Sequence, residues 1–285
     1  MKYTLENDRL TARVATKGAE LLSIYSKETG KEYIWQPGAE IWNAHSILLF
    51  PNPGRIAHDR TIIGGKVYPA TMHGFAKDAE FVVAEHDGTH LVLERFFFPY
   101  EFLFRVTFTL KDDVLEERFE VVNRDDKTMY FSLGAHPGFY CPIELGESGE
   151  DYVLRFDRPQ SIDLLESEAG TRLLTGRTSK LPMDGNDVFV GEHFFDNGPM
   201  LYGNVHADTI TLLSKKSGRF VELGIRDFPY MCLWGVGAKM QILCIEPWCG
   251  TSDLTDTDHV WETKLGIEKA GVGETFTRAL TFRVG

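Results

Sequence analysis

The chain has 285 residues, 43% hydrophobic and 25% charged, enough apolar material for a large continuous core and for a single domain spanning residues 1–285. Its formal net charge of −12 argues against nucleic acid or an anionic membrane as partner, because both need a concentrated positive surface. No apolar run approaches the roughly 20 residues of a membrane-spanning helix.

The N-terminus, Met1-Lys2-Tyr3-Thr4-Leu5-Glu6, turns polar at once and lacks the apolar stretch of a secretion signal, so the cytoplasm is the expected location. A short helix is predicted around residues 41–46. Strands are predicted at residues 81–84 and 89–94, on either side of the turn residues Asp87-Gly88. Phe102, Phe104, Val106, Phe108 and Leu110 then share one face of a run whose other face carries Leu103, Arg105, Thr107 and Thr109. This period of two describes a half-buried strand. Lys111-Asp112-Asp113 reads as a turn, with residues 114–123 returning as its partner. Further strands are predicted at residues 130–133, 152–156, 231–234, 241–245 and 275–284, and a hairpin at residues 209–213 and 219–225. Residues 143–195 are more polar and irregular, and read as long loops. A second short helix is predicted around residues 256–262. The sum is an all-β fold of antiparallel strands with few short helices, a sandwich or barrel rather than a βαβ fold.

Three segments break the alternation. The first joins Leu49-Phe50-Pro51-Asn52-Pro53-Gly54-Arg55 to Thr71-Met72-His73-Gly74-Phe75-Ala76; the second is Gly134-Ala135-His136-Pro137-Gly138-Phe139; the third is Cys244-Ile245-Glu246-Pro247-Trp248-Cys249-Gly250. Each sets an ionisable side chain beside Gly or Pro in apolar surroundings, near a predicted strand end, as a preorganised site requires. Together they offer an acid, a base and a spare donor. A structural reading stands beside this one: His73 and His136 as hydrogen-bonding loop residues, Glu246 in a buried ion pair with an arginine. Two histidines and a carboxylate can also ligate zinc or iron. Neither HxH nor HExxH spacing occurs, so no metal is expected. His45 and His193 lie near aromatics; the other histidines sit in polar turns. Cys141, Cys232, Cys244 and Cys249 form no CxxC pair and read as free buried thiols.

At these segments the chain resembles the aldose 1-epimerase (galactose mutarotase) family, and more closely its LacX-like branch. The likeness runs from Thr16-Lys17-Gly18-Ala19-Glu20 through Glu32-Tyr33-Ile34-Trp35-Gln36, Pro53-Gly54-Arg55, His73-Gly74-Phe75-Ala76, Phe131-Ser132-Leu133-Gly134-Ala135-His136-Pro137 and Ile245-Glu246-Pro247-Trp248 to Lys264-Leu265-Gly266-Ile267. It implies a galactose-mutarotase-like β-supersandwich that interconverts the α and β anomers of a free aldose without a cofactor. It also implies roles. Glu246 matches the family's base, His136 its acid, His73 its second site histidine and Arg55 its sugar-binding arginine. Asp196 is the candidate for the aspartate that holds sugar hydroxyls, with Asp187 as fallback. The family's asparagine-arginine pair is not kept here, since Gly54 precedes Arg55.

On this reading Glu246 and His136 stand on opposite sides of the anomeric O–C–O unit and exchange roles as the ring opens and closes. His73 and Arg55 hold the sugar and steady charge on oxygen, with Trp248 or Phe75 as a platform for the pyranose face. The partner is then a monosaccharide and the protein a monomer or homodimer. Two alternatives stay open. A hexose-6-phosphate 1-epimerase would need extra cations, for which Arg226, Arg60 and Lys77 are candidates. A non-catalytic sugar-binding or sensor protein would bind without turnover.

Overall fold

Alternation becomes strand where it is strongest. Phe102–Lys111 and Val114–Asn123 pair antiparallel without interruption, from Phe102 opposite Asn123 to Lys111 opposite Val114. The even-numbered face of the first strand is buried from Phe102 to Leu110, as the period of two predicts. The computed structural model describes the chain except residues 39, 98–100, 192 and 237–240.

Two large antiparallel sheets dominate. One has nine strands, in the order Asp187–Phe189, Tyr152–Phe156, Thr209–Ser214, Phe220–Gly224, Thr275–Val284, Val114–Asn123, Phe102–Lys111, His90–Phe97 and Val82–His86. The other has seven: Leu174–Lys180, Asp163–Ser167, Met200–Gly203, Tyr230–Gly235, Ile242–Cys249, Leu133–Tyr140 and Ser46–Leu49. A four-stranded sheet over Lys2–Glu6, Leu10–Ala15, Leu21–Ser26 and Lys31–Glu32 joins the same apolar cluster, which runs from Leu5 to Val284. Phe139 of the seven-stranded sheet meets Phe282 of the nine-stranded one across this core. Among the described residues, helix is confined to four 3-10 turns of three residues each.

Three expectations change. Residues 41–46 form a turn leading into the strand Ser46–Leu49, and of the second predicted helix only Trp261–Thr263 coils. The stretch read as long loops supplies Asp163–Ser167, Leu174–Lys180 and Asp187–Phe189. These are outer strands, half-exposed or exposed along much of their length, so no apolar period marks them. Finally, Leu133–Tyr140 and Ile242–Cys249 run straight through His136 and Glu246. Both strands are central, with the core on one face and covered side chains on the other. Nearly every residue is therefore buried, and the alternation that would mark a strand is lost.

Candidate active site

Register alone brings the two candidate proton carriers together. Gly134 pairs with Trp248 and Gly138 with Cys244, so His136 and Glu246 face each other midway between those pairs. The backbone ladder lapses there because Pro137 and Pro247 have no N–H to donate. His136 also lies opposite Ile47, Glu246 opposite Cys232, and Cys232 opposite Leu201. Directly opposed residues share a face of the sheet. Ile47, His136, Glu246, Cys232 and Leu201 thus form one row on the face turned away from the core. That row floors a cavity of about 470 Å³.

The His136 Nε2 atom lies 3.3 Å from Glu246 Oε1, and both residues are almost wholly buried. Trp42 stacks on the His136 ring at 4.8 Å and 23°, while Trp234 meets it edge-on. Burial pushes the Glu246 carboxyl well above its ordinary range and the His136 imidazole well below. The Trp248 indole and the Cys232 thiol draw Glu246 back toward its ionised form. Even so, Trp248 Nε1, Glu246 Oε2 and His136 Nδ1 are sealed from solvent and complete no hydrogen bond among the described residues. Three such atoms around one buried acid–base pair are unusual in a folded interior and single this cluster out as the candidate site.

His73 comes to this pair from a different segment. It sits at φ 65° and Gly74 at φ 67°, a left-handed pair that turns the chain beneath Phe50. A side chain on Gly74 would place its Cβ 2.2 Å from the Phe50 carbonyl oxygen, so only glycine permits the turn. The Gly54 N–H donates to His73 Nδ1 at 3.2 Å, and the His73 N–H returns a bond to the Gly54 carbonyl at 3.1 Å. Nδ1 being an acceptor, the proton of the neutral ring is on Nε2. Burial, helped by Lys77 and Arg55, lowers the His73 pKa to about 4. The His73 ring meets that of His136 edge-on at 5.6 Å.

Arg55 lines the same cavity, and its main chain is clamped. Its N–H donates to Ser252 Oγ at 3.0 Å, and its carbonyl accepts from Asp253 N–H at 2.9 Å. Asp253 also accepts from Ala57 N–H and pairs with the buried Lys264.

Asp196, by contrast, does not line the cavity. It is exposed and holds His193 Nδ1 at 3.0 Å. Asp187 pairs with Arg155 on the nine-stranded sheet. Of the platform candidates, Trp248 lines the cavity, whereas Phe75 packs on Phe97 at 4.8 Å beside a separate apolar hollow. His45 is held by Glu20. Lys77 reaches the cavity; Arg226 is paired with Asp208 and, like Arg60, lies outside the lining. Trp42, Trp234, Cys232 and Arg172 line it without having been singled out from sequence. Cys232 had a legible signal, since it belongs to a predicted strand flanking the Glu246 strand. Arg172 had none. Among the described residues, no group of three His, Cys, Asp or Glu side chains is arranged to hold a metal ion. No helix there is long and apolar enough to cross a membrane.

Comparison with known proteins agrees with this architecture. The aldose 1-epimerase family model matches residues 1–267. Two Lactococcus lactis proteins, the chromosomal and plasmid forms of Protein LacX, are each 31% identical over 286 residues, covering 94% of this chain and 94% of theirs. A galactose mutarotase related enzyme from Lactobacillus acidophilus superposes with TM-score 0.93 at 30% identity, over 100% of this chain and 97% of its own. A galactose mutarotase-like protein from Lactobacillus casei gives 0.92 at 30% identity, with both chains covered in full at 100%. The two large sheets are thus the β-supersandwich of galactose mutarotase-like proteins.

Proposed function

The chain belongs to the aldose 1-epimerase family, and we propose that it interconverts the α and β anomers of an aldose whose anomeric hydroxyl is free. The observation that carries this reading is the buried His136–Glu246 contact of 3.3 Å. Mutarotation needs one proton taken from the C1 hydroxyl and one given to the ring oxygen, two atoms bonded to the same carbon. Side chains on opposite sides of that unit are one way to do this. Adjacent side chains under one edge of the sugar are another, and the row on the sheet favours the second.

Burial opposes charge on each partner, so the pair by itself carries one mobile proton and no net charge. A carboxylate beside an imidazolium has the same proton count and differs only by transfer across the contact. Hydrogen bonds from sugar hydroxyls to the Glu246 carboxyl in the cavity favour the ionised arrangement. Glu246 then accepts the C1 hydroxyl proton as the C1–ring oxygen bond breaks and the C1 carbonyl forms. His136 protonates the departing ring oxygen. Rotation about C1–C2 and reversal of both transfers complete the exchange. Each positioned transfer is worth roughly 10²–10⁴-fold in rate. Neutral His73, with its proton on Nε2, acts as a donor to an oxygen that gains charge, and Arg55 holds the sugar from the cavity wall.

Polarimetry of freshly dissolved α-anomers tests the reading. Catalytic amounts of protein should bring the rotation of at least one aldose to equilibrium faster than the spontaneous process, before and after exhaustive chelation. A rate equal to the spontaneous one for neutral and charged aldoses alike overturns it.

A further inference from the structure

Charge in the cavity runs against the charge of the chain. The protein carries 30 Lys and Arg against 42 Asp and Glu. The cavity, however, is lined by Arg55, Lys77 and Arg172, and Glu246, the one acidic side chain lining it among the described residues, belongs to the pair just described. No Asp, Asn or Gln lines it among the described residues, so the usual acceptors and amides for neutral sugar hydroxyls are missing.

Arg172 is held in place by its surroundings. It occupies φ 63° in the turn between Asp163–Ser167 and Leu174–Lys180, where its N–H donates to the Glu168 carbonyl at 3.0 Å. An arginine at positive φ costs energy and persists only where its surroundings fix it. One Nη donates to the Asn197 carbonyl at 2.6 Å. The guanidinium also lies across Gly198, where a Cβ would come within 2.5 Å of its Nη2. Its remaining donors have no carboxylate partner among the described residues, unlike those of Arg155, Arg158 and Arg226.

Arg55 borders the same corner. The Asp253 N–H bonds to the Arg55 carbonyl at 2.9 Å, and the Asp253 carbonyl accepts from Leu174 N–H at 2.8 Å. Asp253 therefore stitches the Arg55 loop to the Arg172 turn, while its own carboxylate is committed to Lys264 and Ala57 N–H. In sheet order, Asp163–Ser167 lies three strands from the Glu246 strand, about 14 Å at the usual spacing. The guanidinium turn thus lies toward the far side of the cavity floor from the reacting pair.

We infer that Arg172 and Arg55 form an anion-binding subsite, so that the aldose handled here carries a phosphate ester or a carboxylate remote from its anomeric carbon. A guanidinium whose remaining donors meet no carboxylate among the described residues suits either group. This inference rests on the proposed anomerase reading, and one experiment separates the two. Anomerisation and calorimetric binding are measured for glucose and galactose, their 6-phosphates, and the corresponding uronates.

The expected result is a higher kcat/KM and tighter binding for one anionic class than for the neutral sugars. Arg172→Met should cut that preference roughly 10- to 100-fold, mainly through KM, with Arg172→Lys between the two. Preference for phosphate over carboxylate, or the reverse, identifies the source of the charge. Neutral sugars bound and turned over as well as both anionic classes overturn the inference while leaving the anomerase reading intact. An unchanged anionic preference in Arg172→Met also overturns it. Absence of turnover on every sugar overturns the anomerase reading, and the calorimetric comparison then decides the anion subsite by itself.

Discussion

His136 and Glu246 face each other on neighbouring antiparallel strands with Nε2 and Oε1 3.3 Å apart, where two prolines have opened the backbone ladder between them. Among the described residues, neither His136 Nδ1 nor Glu246 Oε2 completes a hydrogen bond. Each has the other as its proton-exchange partner, and the two should act as one unit. His136→Asn with Glu246→Gln should cost little more in kcat than either change alone. Losses in the double variant equal to the product of the single losses would separate the two roles.

His73 is a donor that stays neutral. Its pKa falls from 6.5 to about 4 on folding, so the unfolded chain binds more protons between those values. Stability should therefore drop as pH falls from about 6.5 through about 4. His73→Asn tolerates the left-handed backbone and keeps an acceptor for Gly54 N–H. Urea unfolding of this variant should show a shallower decline over the same window. An imidazole titration by NMR with a midpoint near 6.5 for His73 would contradict the assignment.

Glu117 gives the opposite slope. It is buried in the core of the nine-stranded sheet, Oε2 has no hydrogen-bond partner among the described residues, and burial raises its pKa from 4.5 to about 8. The folded state keeps a proton that the unfolded chain releases, so its contribution is fully present below about pH 4.5. It is lost as pH rises through about 8, at about 1.4 kcal/mol per pH unit within the window. Glu117→Gln should match wild type near pH 4.5 and exceed it increasingly toward pH 8. A stability difference independent of pH would show that Glu117 is charged in the fold.

The Lys264–Asp253 pair supports the site from behind. Both side chains are buried, and Asp253 ties Arg55 to Leu174. Lys264→Met leaves a buried carboxylate without its cation and should cost about 3–5 kcal/mol in chemical denaturation. Sugar KM should rise more than kcat falls, because the clamp positions Arg55 rather than the reacting pair. A loss confined to kcat would contradict that division.

How much of this was legible in the sequence follows from burial. Phe102–Lys111 and Val114–Asn123 are buried on one face only, so their period is visible. Asp163–Ser167 and Leu174–Lys180 are largely exposed or half-exposed, and Ile242–Cys249 is buried throughout, so each lacks a period for opposite reasons. His136 and Glu246 stood out because ionisable residues are rare in such apolar surroundings. That they lie directly opposite one another is a matter of strand order, which no local pattern encodes. Arg172 sits among polar neighbours like any surface arginine. Only its turn, Asn197 and Gly198 reveal its placement over the cavity. Asp196 is the converse case: an acidic residue beside aromatics looks site-like in sequence, while the fold leaves it exposed against His193 and outside the cavity lining.

The most direct test of the central claim is mutarotation by Glu246→Gln, read by polarimetry beside its sugar affinity. This change keeps the shape of the side chain and removes its ability to accept a proton. The expected result is a fall in kcat of roughly 10²–10⁴-fold with affinity retained. A Glu246→Gln protein that mutarotates at the wild-type rate would contradict it.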